Sequence, residues 1–348
     1  MTKKLILDLD TGIDDSLAIA YALGSPEVEL IGITGTYGNV TVDLGVRNSL
    51  AVTELLGHPE VPVYSGLSHP TTRDGFAVSD STARIHGYNG IGEVEIPDAS
   101  RAPQSESAVD FIIDAANTYG DDLIYVPTGA LTNIAAVLAR DPQAVKRIGD
   151  ITIMGGALTV PGNVNAWTEA NISQDPEAAD ALFRSGAQVT MIGLDVTLQT
   201  LLTKRETAKW RALDTPAGRF LADMTDYYIG AYGRIAPHLG GCGLHDPLAV
   251  AAAIDPSLIT TLPINMMVDL EGPTRGRTIG DNTRLNDPVK TARVAVGVDV
   301  PRFLDEFMRR ITALAAGTAL VAGTSQSAGT AQSAASTTVE AHPAPKAA

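Results

Sequence analysis

The chain has 348 residues, of which 45% are hydrophobic, and its formal net charge is -15. This apolar content is enough for a sizeable core and excludes a disordered chain, whereas the acidic charge argues against a nucleic-acid surface, which needs clustered Lys and Arg. Cys242 is the single cysteine, which excludes an intrachain disulfide and a cysteine-based zinc site.

Short apolar runs alternate with amphipathic stretches along the first half of the chain. Strands rich in Val, Ile and Leu are predicted over residues 5–9, 30–34, 123–126, 151–154 and 189–192. Helices are predicted over residues 15–23, 43–56, 107–118, 132–140 and 177–184. This β–α alternation predicts the α/β class, with an open, mostly parallel, twisted sheet, helices on both faces and a Rossmann-like core.

The second half begins with a predicted helical region, residues 205–234, and a helix over 245–254. Strands are predicted within 264–272 and 289–300, and a helix over 301–311. No linker divides the chain, so we expect one domain over residues 1–314, and we expect the Ala-, Ser-, Gly- and Thr-rich residues 315–348 to form a disordered tail. Because the sequence has neither a run of about 18 apolar residues nor a developed signal peptide, we expect a cytoplasmic protein without membrane contact.

Four carboxylates, those of Asp8, Asp10, Asp14 and Asp15, lie where the first strand should pass into the first helix. They can be helix-capping acids, a phosphatase-type nucleophile or ligands of a hard metal ion. Capping and the helix dipole account for Asp14 and Asp15 alone. Four like charges repel, and a divalent cation such as Ca²⁺ or Mg²⁺ removes that cost. On this stretch alone, capping and metal binding both stay open.

Parts of this stretch are similar to motifs of two other enzyme classes, and both classes are excluded. The tripeptide "DTG" at residues 10–12 is typical of aspartic proteases, but no second copy supplies the partner aspartate. "DLDTG" is similar to the haloacid-dehalogenase phosphatase motif, which has Thr where this chain has Gly12. The second acidic motif of those phosphatases is also missing, since "IGDNTRLND" carries Leu285 at the position of its second acid.

Polar or glycine-containing segments follow several predicted strands, at residues 8–15, 38–39, 127–129 and 155–156. In open α/β sheets, ligands bind at the carboxyl ends of the strands. Segments far apart in sequence are therefore expected to converge on one crevice.

The segment "DLDTGIDDSLAIAYAL" resembles the N-terminal signature of the inosine-uridine preferring nucleoside hydrolases, D-x-D-x-G-x-D-D. Further similar segments follow in family order: "TGTYGNV", "IHGYNGIG", "VPTGALTNIA", "IMGGAL", "GNVNAWTEANISQDPEAA" and "GLHDPLAVA". Together they span residues 3–312. The chain departs from the family pattern at Thr11, where Pro is common, and at Ala170, where an aromatic residue is common.

The resemblance implies calcium-dependent hydrolysis of the N-glycosidic bond of ribonucleosides, giving ribose and a free purine or pyrimidine base. It implies that Asp10, Asp15 and Asp246 bind Ca²⁺ through carboxylates and Thr128 through its carbonyl. Asp10 would act as the general base that activates a metal-bound water. The implied partner is a small-molecule ribonucleoside, and members of the family are commonly homodimers or homotetramers.

The resemblance also assigns substrate contacts. On the base side, His245 would protonate or orient the departing base, and His86 would contact the base or the 5′ side of the ribose. Tyr228 and Tyr232 would stack on the base or donate a proton to it, or else pack within a helix. The residues implied to bind the ribose hydroxyls or to line the pocket floor are Asp14, Asn39, Met154, Asn163, Glu169 and Asn171.

Two other functions are compatible with parts of this pattern. One is a nucleoside- or ribose-binding protein that keeps the metal site but lacks turnover, which the intact Asp10 argues against. The other is a metal-dependent phosphohydrolase, which the absence of Lys and Arg from the expected pocket argues against. Asp8 has no place in the implied site, and we expect it to be hydrogen-bonded behind the metal ligands.

Overall fold

Twelve strands and thirteen α-helices occupy residues 2–317, the part of the chain that the computed structural model describes. The strands are β1 (Lys3–Leu9), β2 (Val28–Gly35), β3 (Val63–Tyr64), β4 (Leu123–Pro127), β5 (Asp150–Met154), β6 (Val189–Ile192), β7 (Leu201–Leu202), β8 (Cys242–Gly243), β9 (Ile259–Ile264), β10 (Met266–Val268), β11 (Thr278–Gly280) and β12 (Ala292–Val298). The helices are α1 (Ile13–Leu23), α2 (Val42–Leu55), α3 (Asp80–His86), α4 (Ala108–Tyr119), α5 (Thr132–Arg140), α6 (Pro142–Arg147), α7 (Ala170–Gln174), α8 (Pro176–Arg184), α9 (Leu194–Thr197), α10 (Lys204–Arg211), α11 (Pro216–Ile235), α12 (His245–Ile254) and α13 (Val300–Ala315). Of the predicted tail, residues 318–348 lie outside the described part.

Eight strands form the main sheet in the order β3-β2-β1-β4-β5-β6-β12-β9. Neighbouring strands are parallel except β12 and β9, which pair antiparallel. The predicted open, mostly parallel α/β sheet is therefore confirmed. The strand order reverses between β1 and β4, and in doubly wound sheets such a switch point is where ligands bind.

Helices cover both faces of the sheet. Leu5, Leu7 and Leu9 of β1 are buried in the core beneath α1, α2, α11, α12 and α13, whereas Ile6 is buried in the core beneath α4, α5, α6 and α8. Alternate side chains of one strand thus enter two different cores, which explains why β1 is apolar without polar alternation. None of the described helices is long and apolar enough to span a bilayer.

The predicted elements agree closely with the structure at the first strands and helices. The predicted strand 189–192 and the predicted helices 132–140 and 245–254 coincide with β6, α5 and α12, and the other predicted elements are shifted at their ends by a few residues. The helical region 205–234 is divided into α10 and α11 by a turn, and α13 continues to Ala315, past the predicted domain end at residue 314. The strand predicted within 264–272 corresponds to β10. It pairs with β11 in a separate two-stranded sheet and is not part of the main sheet.

The antiparallel edge strand β9 was not predicted. Its sequence, "ITTLPI", lacks the continuous apolar run of the central strands, since three of its six residues are exposed and the other three are partly exposed. Pro263 is compatible with this position, since an edge strand can leave one side of its backbone unpaired.

Asp8 links three elements beneath the carboxyl edge of the sheet. Its fully buried carboxylate accepts hydrogen bonds from Thr34 on β2 (2.7 Å), Tyr125 on β4 (2.6 Å) and Asn133 on α5 (2.8 Å). Burial raises the pKa of Asp8 to about 6, although the three hydrogen bonds favour its charged form. This position agrees with the expected structural role, because Asp8 fixes β1 relative to β2 and β4.

Replacing Asp8 by Ala is expected to lower the free energy of unfolding by about 3 kcal/mol, because two hydroxyls and one amide lose their buried acceptor. Urea unfolding measures this loss. Asp122→Ala is the matched control, since the Asp122 side chain is 52% exposed and pairs with Lys3 at the opposite end of the sheet. The control is expected to change the free energy of unfolding by less than about 1 kcal/mol. Equal stability of the two variants would contradict a structural role for Asp8.

Candidate active site

The junction between β1 and α1 brings two acids into the first turn of a buried helix. Gly12 precedes this helix, and a Cβ atom there would lie 2.6 Å from Nδ1 of His86, so the close approach requires glycine. Asp15 Oδ2 accepts a hydrogen bond from the Gly12 amide (2.8 Å), and Asp15 Oδ1 accepts one from the Thr128 hydroxyl (2.9 Å). Asp14 Oδ1 is buried and has no hydrogen-bond partner. Capping therefore accounts for one oxygen of Asp15 and leaves Asp14 unexplained.

Three carboxylates from two helices meet at this junction. Asp14, Asp15 and Asp246 each place one oxygen within 4.8 Å of the others, and all three are buried. Asp246 lies in the first turn of α12, whose N-cap is Leu244, so its carboxylate is not used as a helix cap. A group of three buried acids at metal-binding distances is consistent with a site for a divalent cation.

Asp10 lies beside this group and is joined to it by Asn39. The Asn39 side-chain amide donates to Asp10 Oδ1 (3.2 Å) and to Asp15 Oδ2 (3.1 Å), and the Asn39 backbone amide donates to Asp10 Oδ2 (2.5 Å). The resemblance implied Asp10, Asp15 and Asp246 as the metal ligands. In the structure the close group contains Asp14, Asp15 and Asp246, and Asp10 lies beside it, joined to Asp15 through Asn39.

Burial and mutual repulsion govern the charge of these acids. Burial, followed by the negative charges of neighbouring carboxylates, raises the pKa of Asp10 and of Asp246 well above the usual range and that of Asp14 to about 8. Burial also raises the pKa of Asp15. Within residues 2–317, no Lys or Arg forms a salt bridge with any of the four. The cluster therefore favours binding of a positive ion.

Two glycines let the backbone approach Asp10 closely. A Cβ atom at Gly38 would lie 2.1 Å from Asp10 Oδ2, and one at Gly129 would lie 3.0 Å from Asp10 Cγ. Gly38 follows β2 and Gly129 follows β4, so both neighbours of β1 in the sheet close around this carboxylate. Both glycines were expected at strand ends, but neither was expected to have a role at the site.

Three of the residues expected at the ribose, Met154, Glu169 and Asn171, lie at the end of β5 and at the start of α7. The Asn171 side chain donates to the carbonyls of Thr128 (2.7 Å) and Met154 (3.2 Å). Glu169 accepts hydrogen bonds from the amides of Gly156, Asn171 and Ile172, and its pKa is raised by burial. Asn171 therefore links the Thr128 carbonyl to Met154, and Glu169 holds the backbone at the start of α7.

Asn163 is placed differently from the other residues of the predicted ribose site. It lies in the exposed segment 161–167, and its side-chain oxygen accepts a hydrogen bond from the Ala170 amide (2.9 Å). Asn163 therefore holds the start of α7 and makes no hydrogen bond to the carboxylate cluster.

His86 lies at the end of α3, beside the start of α1. Its Nδ1 accepts a hydrogen bond from the Ile13 amide (3.3 Å) and lies 3.8 Å from Asp14 Oδ1. Burial lowers the pKa of His86 to about 3, so the ring is neutral. Because Nδ1 is an acceptor, Nε2 carries the proton of the imidazole.

Two tyrosines of α11 connect the acidic cluster to His245. The Tyr228 hydroxyl donates to Asp14 Oδ2 (3.2 Å), and the Tyr228 and Tyr232 rings pack edge to face at 5.0 Å. The Tyr232 hydroxyl lies 2.5 Å from His245 Nε2, and His245 Nδ1 lies 2.7 Å from the Thr197 hydroxyl. Burial lowers the pKa of His245 to about 4. The two tyrosines therefore use their hydroxyls at the site and do not only pack within the helix.

Thr197 is a site residue that the sequence analysis missed. It lies on α9, a four-residue helix that was not predicted, in the segment "GLDVTLQT". Neither charge nor periodicity distinguishes this threonine from the many others in the chain. Its contact with His245 arises from the packing of α9 against α12.

Known proteins are similar to this chain over most of its length. A family model described as inosine-uridine preferring nucleoside hydrolase matches residues 5–305. The chain is 37% identical to the inosine-uridine preferring nucleoside hydrolase of Crithidia fasciculata, over 87% of this chain and 95% of that protein. It is also 37% identical to a protein of Arabidopsis thaliana named probable uridine nucleosidase 2, over 89% of this chain and 97% of that protein.

A solved structure is similar over most of its length. It is a purine-preferring ribonucleoside hydrolase from Gardnerella vaginalis, which is 73% identical and superposes with a TM-score of 0.90, over 91% of this chain and 100% of that chain. The family model and these relatives each span most of the chain, and the acids of the family signature meet in one buried site. The chain belongs to the family of inosine-uridine preferring nucleoside hydrolases and is an enzyme that hydrolyses the N-glycosyl bond of nucleosides.

Proposed function

We propose that the protein hydrolyses purine ribonucleosides with the help of one Ca²⁺ ion, that Asp10 is the general base, and that His245 and Tyr232 assist departure of the base. The observation that carries this proposal is the buried group of carboxylates at the switch point of the sheet, which no described Lys or Arg neutralises. The strand order places the ends of β1 and β4 side by side there.

The residues present fit a hard divalent cation. Asp14, Asp15 and Asp246 supply carboxylate oxygens within 4.8 Å of one another, and one buried oxygen of Asp14 lacks a hydrogen-bond partner. We assign the ion to the carboxylates of Asp10, Asp15 and Asp246 and the carbonyl of Thr128, all of which are oxygen ligands suited to Ca²⁺. When bound, Ca²⁺ would supply Lewis acidity to the attacking water and bind hydroxyls of the ribose.

Two asparagines orient these ligands. Asn39 donates to Asp10 and Asp15, and Asn171 donates to the Thr128 carbonyl. Hydrogen bonds from such neighbours fix the direction of metal-binding oxygens. We propose that Asp14, Asn39, Asn163, Glu169 and Asn171 also hydrogen-bond the ribose and that Met154 lines the floor of its pocket.

Asp10 is suited to accept the proton of the attacking water. It is fully buried, and its two oxygens accept hydrogen bonds from the backbone and side-chain amides of Asn39, which hold the carboxylate in one orientation. In the reaction, the water oxygen bonds to C1′ of the ribose and the C1′–N bond breaks, with its electron pair passing to the base. The proton of the water goes to Asp10, and positive charge that develops on the sugar is stabilised by the acidic surroundings.

The departing base needs a hydrogen-bond donor or a proton. Tyr232 and His245 are hydrogen-bonded to each other at 2.5 Å, and we propose that this pair supplies the proton to a base nitrogen. After the products leave, Asp10 releases its proton to solvent and the pair regains one from solvent. Burial lowers the pKa of His245 to about 4. At neutral pH the imidazole is therefore uncharged, and the pair donates its proton from a neutral hydrogen-bonded state. Neutral His86 would offer its Nε2–H to the base or to the 5′ side of the ribose.

The proposed preference for purines rests on the similarity to the Gardnerella vaginalis enzyme, which is named purine-preferring and is 73% identical. Tyr228 and Tyr232 are also suited to contact a large aromatic base through their edge-to-face pair. A pyrimidine preference is the second candidate, because the Arabidopsis thaliana relative is named a uridine nucleosidase. The cytoplasmic location and the dimer or tetramer expected from the sequence are parts of this proposal.

Asp10→Asn is expected to lower kcat for ribose release at least about 100-fold, because the amide cannot take the proton of water. The assay is reducing-sugar release from inosine with excess CaCl₂. Asp305→Asn, at an exposed position on α13, is the matched control and should retain wild-type turnover. Near wild-type turnover of Asp10→Asn, in a variant with an unchanged melting temperature, would refute the mechanism.

A panel of inosine, adenosine, guanosine, uridine, cytidine and 2′-deoxyinosine tests substrate selection. The purine ribonucleosides are expected to exceed the pyrimidine ribonucleosides about tenfold or more in kcat/KM, and 2′-deoxyinosine should fall at least about 100-fold below inosine. The lower kcat/KM is expected because 2′-deoxyinosine lacks one of the ribose hydroxyls that the site is proposed to bind. Equal rates for inosine and uridine would contradict the purine preference. Turnover of nucleotides without turnover of nucleosides would instead favour a phosphohydrolase.

A further inference from the structure

The short helix α9 contacts both halves of the proposed site. All four of its residues are buried, and the Leu194 amide donates to the Gly156 carbonyl (2.9 Å), which fixes the start of the helix at the end of β5. Successive helical residues are rotated by about 100°, so side chains two positions apart point in nearly opposite directions. Asp195 and Thr197 are such a pair.

Asp195 points toward the segment that leads to the ribose-side residues. Its carboxylate accepts hydrogen bonds from the backbone amides of Leu158 (3.0 Å) and Thr159 (2.6 Å) and from the Thr159 hydroxyl (2.6 Å). This segment continues to Asn163 and Glu169. Asp195 therefore holds the ribose side of the site.

Thr197 points toward the base side. Its hydroxyl lies 2.7 Å from His245 Nδ1, while the other ring nitrogen, Nε2, lies 2.5 Å from the Tyr232 hydroxyl. A Cβ atom at Gly243 would lie 2.6 Å from His245 Nε2, so the backbone there packs directly against the imidazole ring. The ring is thus held at both nitrogens, and Thr197 determines its orientation from the side away from Tyr232.

We propose that Thr197 is a positioning residue for departure of the base, acting through His245 and Tyr232. This inference rests on the proposed role of His245. The C1′–N bond breaks with its electron pair passing to the base, and the base nitrogen takes a proton from the Tyr232–His245 pair. Rotation of the imidazole would break its hydrogen bond with Tyr232, so an anchor at Nδ1 keeps the donor aligned.

A substrate whose leaving group needs no proton separates this role from a merely structural one. In 4-nitrophenyl β-D-riboside the bond at C1′ breaks to release 4-nitrophenolate, which is stable as an anion. Thr197→Val removes the hydroxyl while keeping the shape of the side chain, and Thr197→Ser keeps the hydroxyl. Wild type and both variants are assayed with inosine and with the nitrophenyl riboside, and melting temperatures are measured in parallel.

Thr197→Val is expected to lower kcat for inosine about tenfold, the equivalent of one buried hydrogen bond, and to change kcat for the nitrophenyl riboside by less than about twofold. Thr197→Ser is expected to restore most of the inosine rate. Equal losses on both substrates, or an unchanged inosine rate, would overturn the proposal. If Thr197→Val does not fold, Thr197→Ala is assayed with both substrates in its place, and the same results support or overturn the proposal.

Asp195→Asn is the matched control on the same helix. It is expected to raise KM for both substrates by the same factor, because it loosens the ribose side. A selective loss on inosine in this variant would contradict the assignment of base departure to Thr197.

His245→Ala separates failure of this inference from failure of the proposed function. Selective loss of inosine turnover in His245→Ala, without loss in Thr197→Val, would overturn the role of Thr197 alone. Wild-type inosine turnover in His245→Ala would refute the role of His245 and with it that of Thr197.

Discussion

The burial of four carboxylates at one strand–helix junction is the constraint on which the rest of the site depends. Asp10, Asp14, Asp15 and Asp246 are each at most 5% exposed, and no described cationic side chain forms a salt bridge with them. Such a group is unfavourable in the absence of a counter-charge, because buried like charges repel with little screening. A bound cation would offset this repulsion, so the cluster is suited to bind a cation selectively.

The surrounding structure fixes the geometry that the cation would require. Gly38 and Gly129 allow the ends of β2 and β4 to enclose Asp10, while Asn39 bridges Asp10 and Asp15. Asp8 lies two residues before Asp10 and ties β1 to both neighbouring strands through Thr34 and Tyr125. The ends of the strands therefore hold Asp10, and the first turns of α1 and α12 hold Asp14, Asp15 and Asp246, which favours preorganisation of the site.

The sequence predicted much of the fold because local patterns determine it, whereas the place of Asp246 in the acidic site was implied by the family resemblance. The buried strands read as apolar runs, and the acids at residues 8–15 lie where a strand ends and a helix begins, so their convergence at the sheet edge followed from the α/β class. The edge strand β9 was missed because its exposed residues carry no apolar pattern. Thr197 and the closeness of Gly38 to Asp10 were missed for a different reason. Both depend on tertiary packing, and the type of neither residue indicates which residue it contacts.

The acidic cluster is proposed to bind a divalent cation that the hydrolysis of nucleosides requires. Ribose release from inosine is measured with protein whose metal has been removed by a chelator and checked by atomic emission, with and without added CaCl₂. Turnover is expected to be lost without metal, to return with Ca²⁺ and not to return in Asp246→Asn. Full turnover by metal-free protein would contradict the proposed role of the cation.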